Sequence, residues 1–137
     1  GIGASLARWT SRGARAIGAE LGGEAVECAQ LNAPDATILR GKCADRIPQL
    51  RNWTPATGAR LLYVNPPRTG LEPSVLAWAA EAFRPERLAY LSCSAGTLSR
   101  DLRALATANY AVEALIPYDF FPQTHHVETL ALLRRAD

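Results

Sequence analysis

Short apolar runs alternate with helix-like stretches along this sequence of 137 residues, and that alternation limits the chain to a small set of folds. Six runs have strand length and are bounded by turn signals: 14–20, 36–39, 59–64, 88–92, 111–118 and 127–133. Helical spacing of apolar residues occurs over 22–32, 73–83 and 97–108. The pattern predicts an α/β fold with a mostly parallel sheet, and its last two strands should be antiparallel because no helix joins them.

Composition narrows the class of protein. Hydrophobic residues make up 48% of the chain and charged residues 20%, which is typical of a folded domain. No apolar run approaches the ~20 residues of a membrane-spanning helix, and residues 1–4 lack the features of a signal peptide. We therefore expect one domain over residues 1–137, located in the cytoplasm, with no membrane or protein partner implied and a loop over 51–58.

The choice of basic residues and cysteines carries further information. The chain has 14 Arg against a single Lys, and Arg suits contact with phosphates and stacking on bases, although a general bias toward Arg gives the same count. Cys28, Cys43 and Cys93 show no C-x-x-C spacing, so no metal site is predicted. Because the sequence contains no Met, we expect it to be an excerpt of a longer protein.

Polar side chains occur at or just beyond the ends of the predicted strands. In parallel sheets, ligands bind beyond the carboxyl ends of the strands, where Glu20, Asn65 and Cys93 lie. Glu128 begins the final strand instead, but an antiparallel strand starts at the edge where its parallel neighbours end. We therefore expect all four side chains at one edge of the sheet.

A glycine turn precedes the first helical stretch. Gly1 and Gly3 let the backbone approach a ligand closely, and Glu20, at the end of the next strand, can bind two ribose hydroxyls. The start of the helix also offers N–H groups to a carboxylate. We interpret these residues as one side of a nucleotide-type site, although such a glycine pair also occurs in simple turns.

The turn Asn65-Pro66-Pro67-Arg68 ends the strand at 59–64, since proline cannot donate a hydrogen bond to the sheet. A rigid turn of this kind can hold the Asn amide at a fixed place, but it is also an ordinary way to end a strand. Amino-group methyltransferases use a similar turn and follow it with an aromatic residue, where this chain has Arg68.

Two residues indicate covalent chemistry. Cys93 stands between a strand and a helix, close to N–H groups that favour a thiolate. Glu128 enters the last strand among apolar residues, after His125 and His126. A cysteine at the end of a strand is often a small core residue, and Glu128 can equally face solvent on an edge strand. The residues alone leave both alternatives open.

Three segments together resemble the signature motifs of the RNA (uracil-5-)methyltransferases. They are NPPRTGL at 65–71, SCSAGTLSRD at 92–101 and FPQTHHVET at 121–129, and their order and spacing match the family over essentially the whole chain. The resemblance implies a Rossmann-like, S-adenosylmethionine-dependent methyltransferase sheet whose first strand is missing from this chain. It also implies transfer of a methyl group from S-adenosyl-L-methionine to C5 of a uridine in RNA.

The same resemblance implies roles for individual residues. Cys93 corresponds to the family's nucleophile and Glu128 to its base, and no metal is required. Glu20 and Asn65 correspond to cofactor contacts, together with the turn of Gly1 and Gly3. Asn in place of the commoner Asp at position 65 occurs in a branch that acts on large-subunit ribosomal RNA. The favoured partner is therefore 23S ribosomal RNA, with transfer RNA as the other candidate.

One departure from the family and two alternative functions bear on this interpretation. Ser94-Ala95-Gly96 replaces the commoner Asn-Pro-Ala, which changes the loop that shapes the base pocket. An amino-group methyltransferase acting on adenine or guanine would use the Asn65 turn and need neither Cys93 nor Glu128. A non-catalytic RNA- or nucleotide-binding module of the same fold would bind without transferring a methyl group.

Overall fold

The computed structural model describes residues 1–136, which form two compact units, one over Gly1–Thr54 and one from Pro55 onward. Each unit has its own β-sheet. In the described part of the chain, no helix combines the length and apolar character needed to cross a membrane.

The first unit is a strand–helix–strand unit with a helix before it and another after it. In chain order its elements are α1 (Ala4–Thr10), β1 (Ile17–Glu20), α2 (Gly23–Asn32), β2 (Thr37–Arg40), a 3-10 turn (Ala44–Arg46) and α3 (Ile47–Trp53). The two strands are parallel, with Ile17 opposite Thr37 and Glu20 opposite Arg40. Val26 and Ala29 form the buried face of α2. A parallel pair joined by a helix is the predicted arrangement for this part of the chain.

The second unit contains the larger sheet. Its elements are β3 (Leu61–Val64), α4 (Pro73–Ala77), a π-helical segment (Trp78–Phe83), β4 (Arg87–Ser92), α5 (Ala95–Thr107), β5 (Tyr110–Tyr118) and β6 (Glu128–Arg135). The strands are ordered β3-β4-β6-β5, with β3 parallel to β4. β6 is antiparallel to both β4 and β5, which confirms the predicted antiparallel pair. Consequently β6 begins at the edge where β3 and β4 end.

Large side chains of the sheet and helices fill the core of this second unit. Leu88 and Tyr90 of β4, Leu105 of α5 and Leu133 of β6 are at most 2% exposed. Full burial of one such side chain stabilises a fold by roughly 1.5–3 kcal/mol. Burial on alternate residues of β4 gives this strand a fixed register, and that register sets the position of the turn after Ser92.

The expected loop over 51–58 and the expected helix over 73–83 differ from the structure. Residues 51–53 of the expected loop belong to α3, so the loop begins only at Thr54. Pro48 lies in the first turn of α3, where its missing N–H would have no partner in the helix. The helix expected over 73–83 is α-helical only to Ala77 and continues as a π-helix, whose wider hydrogen bonding a residue pattern does not reveal.

Candidate active site

One cavity in the second unit brings together residues of all three motifs. It is lined by Arg68, Cys93, Phe121, His126 and Glu128, and its volume is about 260 Å³. Pockets for drug-sized ligands commonly measure about 300–1,000 Å³. The cavity is therefore smaller than a typical site for a drug-sized ligand.

Cys93 lies in a tight turn between β4 and α5. Ser92, which is 4% exposed, donates its hydroxyl to the carbonyl of Ser94 at 3.0 Å and accepts the Ser94 N–H at 3.1 Å. These two contacts span Cys93 and fix its backbone. Cys93 is half-buried, and α5 begins two residues later at Ala95. The N-terminus of a helix favours negative charge nearby, which suits a thiolate.

Glu128 is the first residue of β6 and is half-buried. It lies opposite Tyr118 of β5, and the next residue, Thr129, lies opposite Ser92 at the end of β4. The structure thus places Glu128 and Cys93 at the same edge of this sheet, as expected. Tyr63 of β3 is influenced by the same carboxylate. Burial raises the pKa of Tyr63, and the negative charge of Glu128 raises it further.

The turn after β3 and the segment before β6 supply the rest of the cavity. Arg68 is exposed, and its carbonyl accepts a hydrogen bond from the Thr97 hydroxyl at 3.0 Å. Phe121 meets His126 edge to face, with ring centroids 6.4 Å apart. A guanidinium, a thiol, a carboxylate and two rings therefore line one small volume. Asn65 is exposed at the start of the same turn as Arg68.

The first unit holds the other predicted residues. The carboxylate of Glu20 accepts the Gly22 N–H at 2.7 Å and pairs with the terminal amino group of Gly1. Gly3 has a φ of 86°, and a Cβ there would come within 2.9 Å of the Cα of Ala29, so the turn needs glycine.

The structure also contains a buried acid, Asp101, that was not among the predicted site residues. Asp101 is fully buried in α5 and accepts the Tyr90 hydroxyl at 2.7 Å and the Leu71 N–H at 2.9 Å. The sequence contains a signal of this burial, because Asp101 lies three residues after Leu98 and four before Leu105, on the apolar face of the helix. A charged residue within an apolar stripe indicates a buried polar network.

A second, larger groove lies on the apolar side of α5. Its volume is about 490 Å³, and its lining includes Leu98, Leu102 and Leu115 but no acid, cysteine or histidine. Of these two cavities, only the one lined by Cys93 and Glu128 has a cysteine and an acidic residue in its lining.

Comparison with known proteins identifies the family. The tRNA (uracil-5-)-methyltransferase family model matches residues 56–136, more than half of the chain. The chain belongs to this family. It is also similar to an uncharacterized RNA methyltransferase of Clostridium acetobutylicum, 37% identical over 97% of this chain, and to one of Parasynechococcus marenigrum, 41% identical over 98%. The chain spans about 30% of the length of each of these relatives.

Solved structures show the same fold at much lower sequence identity. A TehB-like SAM-dependent methyltransferase from Corynebacterium glutamicum covers 100% of this chain, and the chain covers 76% of it, with a TM-score of 0.63 and 17% identity. A ribosomal protein L11 methylase from Lactobacillus delbrueckii covers 99% and is covered over 66%, with a TM-score of 0.62 and 14% identity. These likenesses confirm the predicted Rossmann-like methyltransferase fold.

Membership in the (uracil-5-)methyltransferase family confirms the resemblance found in the three motifs, and with the fold it supports S-adenosyl-L-methionine as the cofactor. The roles of individual residues are a separate matter. The structure brings Cys93, Glu128 and Arg68 to one cavity, and in the other unit it places Gly1 against Glu20 and Gly3 against Ala29 of α2. What each does chemically stays a prediction.

Proposed function

We propose that this chain is part of an enzyme that methylates C5 of a uridine in RNA, with S-adenosyl-L-methionine as methyl donor. The observation that carries the proposal is the cavity shared by the thiol of Cys93, the carboxylate of Glu128 and the guanidinium of Arg68. This reaction requires two groups of the protein, a nucleophile and a proton acceptor, next to a cavity of the size of a nucleobase.

Uracil C5 is a weak carbon nucleophile, and Cys93 overcomes this by covalent catalysis. Its thiolate adds to C6, and the electron pair of the C5–C6 double bond moves through C4 onto the O4 oxygen as an enolate, which makes C5 electron-rich. S-adenosyl-L-methionine, when bound, supplies the methyl group that C5 takes. Glu128 then removes the proton left on C5, and that electron pair re-forms the double bond and expels the Cys93 thiolate.

The residues proposed to hold the cofactor fit its chemistry. Glu20 is an acceptor with one oxygen oriented by the Gly22 N–H, which suits binding of ribose hydroxyls. The positive φ at Gly3 and its close approach to α2 form a turn that a side chain would obstruct. Gly1, Gly3 and Glu20 are therefore the proposed contacts in the first unit. Asn65 is proposed as a further contact with the cofactor because it begins the motif NPPRTGL at 65–71 in the second unit.

RNA reaches such a site only if the target base leaves its stack, at a cost of a few kcal/mol. Aromatic side chains can compensate by stacking on bases. The segment beside the cavity carries several, since Phe121 and His126 line it and the exposed Phe120 stacks on Tyr118 with centroids 5.2 Å apart. Arg68 can contact a phosphate. Ribosomal RNA is the favoured substrate because of Asn65, with transfer RNA as the other candidate.

The test traps the covalent adduct. RNA containing 5-fluorouridine should form a stable complex with the full-length protein and S-adenosyl-L-methionine, because fluorine cannot leave C5 as a proton does. Cys93→Ala should form no complex on a denaturing gel, whereas Cys28→Ala and Cys43→Ala should form it at the wild-type level. A complex that persists in Cys93→Ala would contradict the assignment of the nucleophile.

Mapping of the product tests the substrate. Mass spectrometry of RNA from cells with and without the full-length gene should show one 5-methyluridine that depends on the gene, located in ribosomal RNA. Loss of a methylated adenine or guanine instead would replace the proposal with amino-group methylation through the Asn65 turn. A site in transfer RNA would keep the chemistry and change the substrate.

A further inference from the structure

A single hydroxyl group contacts both of the turns that carry Arg68 and Cys93, two of the residues that line the cavity. Thr97, in the first turn of α5, donates its hydroxyl to the carbonyl of Arg68 at 3.0 Å, and the carbonyl of Ser94 lies 3.4 Å from the same oxygen. Arg68 belongs to the turn after β3, and Ser94 is the residue after Cys93. Thr97 therefore contacts the backbone on both sides.

The Ser94 carbonyl is itself held firmly. It accepts the Ser92 hydroxyl at 3.0 Å and the Leu98 N–H of α5 at 3.0 Å. A carbonyl fixed by a strand and a helix is a rigid reference point, because neither element can shift without losing a hydrogen bond. Through Thr97, the turn that carries Arg68 is attached to this reference point.

The same helix also fixes the far end of the Arg68 turn. Arg100 donates to the Thr69 carbonyl at 3.0 Å, and Asp101 accepts the Leu71 N–H at 2.9 Å. Gly70 lies between them, and a Cβ on it would come within 2.5 Å of the Arg100 guanidinium. Of the three helix residues that hold this turn, Thr97 is the one whose contacts extend to the Cys93 side.

We propose that Thr97 is a positioning residue that couples the Arg68 turn to the Cys93 turn, so that binding of RNA by one side of the cavity sets the attack geometry of the other. The inference rests on the proposed function of Cys93. Thr97 lines no part of the cavity and acts through backbone carbonyls. A displacement of about 1 Å between reacting groups can cost on the order of 100-fold in rate.

The experiment compares two variants of Thr97 in the full-length protein. Thr97→Val keeps the shape and removes the hydroxyl, whereas Thr97→Ser keeps the hydroxyl. With 5-fluorouridine RNA at saturation, Thr97→Val should form the Cys93 adduct roughly 10- to 100-fold more slowly. Its Kd for RNA should stay within about twofold, and Thr97→Ser should recover most of the rate.

Thr107→Val is the matched control. Thr107 lies at the other end of α5, and its hydroxyl donates to the Ala104 carbonyl of the same helix at 2.7 Å. It should leave the rate of adduct formation unchanged. If circular dichroism shows that Thr97→Val is unfolded, Thr97→Ala replaces it, since Ala has the highest helix propensity.

The outcomes separate this inference from the proposed function. Adduct formation by Thr97→Val at the wild-type rate would overturn the coupling and leave Cys93 as the nucleophile. Equal losses in Thr97→Val and Thr97→Ser would also overturn it, because the hydroxyl would then be irrelevant. Absence of any adduct in the wild-type protein would instead refute the proposed function.

Discussion

Replacing Tyr90 by Phe removes one hydrogen bond from the network that supports the cavity and changes little else. Both Tyr90 and Asp101 are fully buried, and the phenol donates to the carboxylate at 2.7 Å. A hydrogen bond to a charged group contributes about 1.5–3 kcal/mol. Asp101 keeps the Leu71 N–H and Arg100 as partners, so we expect Tyr90→Phe to lower the free energy of unfolding by about 2 kcal/mol at pH 7.

The hydrogen bond between Tyr90 and Asp101 also predicts how the loss of stability in Tyr90→Phe depends on pH. Burial first, and the hydrogen bond to Asp101 second, raise the pKa of Tyr90 well above its usual value of 10. Above pH 10 the unfolded chain releases the phenol proton while the folded chain retains it, so stability falls as pH rises. The slope approaches about 1.4 kcal/mol per pH unit. Phe does not titrate, so the difference in free energy of unfolding between wild type and Tyr90→Phe should be smaller at pH 11 than at pH 7 by about 1.4 kcal/mol.

Equilibrium unfolding in urea at pH 7 and pH 11 measures the loss of stability and its change with pH. The comparison requires that the slope m of the unfolding free energy against urea concentration is the same for wild type and Tyr90→Phe. Other tyrosines titrate equally in wild type and variant and cancel in the difference. Tyr118→Phe is the matched control for the loss at pH 7, since Tyr118 is exposed and its replacement should change the free energy of unfolding little. A difference in stability between Tyr90→Phe and wild type that does not change with pH would refute the argument that burial and the hydrogen bond to Asp101 keep the phenol neutral.

Three further predictions concern the site itself. Glu128→Gln should accumulate a covalent, already methylated adduct with natural RNA on a denaturing gel with labelled methyl donor, because elimination lacks its base; normal turnover would point to another base. Glu20→Ala should weaken S-adenosyl-L-methionine binding by roughly 1–3 kcal/mol in calorimetry, since ribose hydroxyls lose a partner; unchanged affinity would remove Glu20 from the site. Gly70→Ala should lower thermal stability more than Gly13→Ala, because both have φ near 80° but only Gly70 lies against side chains.

The strands could be predicted from the sequence because each is a short apolar run ended by a residue that breaks it. β3 ends where Pro66 and Pro67 follow, and β4 is a run of apolar residues before the Cys93 turn. Their order along the chain and the missing helix before β6 were enough to place Glu128 beside the end of β4. This part of the site follows from the topology alone.

The helix boundaries were less predictable, and for physical reasons. α5 begins at Ala95 and not at the expected Thr97, although Gly96 has a low helix propensity. Tertiary contacts decide this boundary, because the Thr97 hydroxyl and the Ser94 carbonyl are held by groups distant in sequence or outside the helix. A local pattern contains no information on such contacts.

The buried Asp101 supports the elements that carry the proposed catalytic residues. Replacing a buried charged network by apolar residues is often neutral or stabilising, so burial of this carboxylate is not explained by stability alone. Its three donors come from the turn after β3, from β4 and from α5, through Leu71, Tyr90 and Arg100. An apolar side chain of equal volume would fill the space but would not fix the relative positions of these three elements. Because Arg68 stands on the turn and Cys93 joins the strand to the helix, the arrangement that Asp101 holds is the one that shapes the cavity.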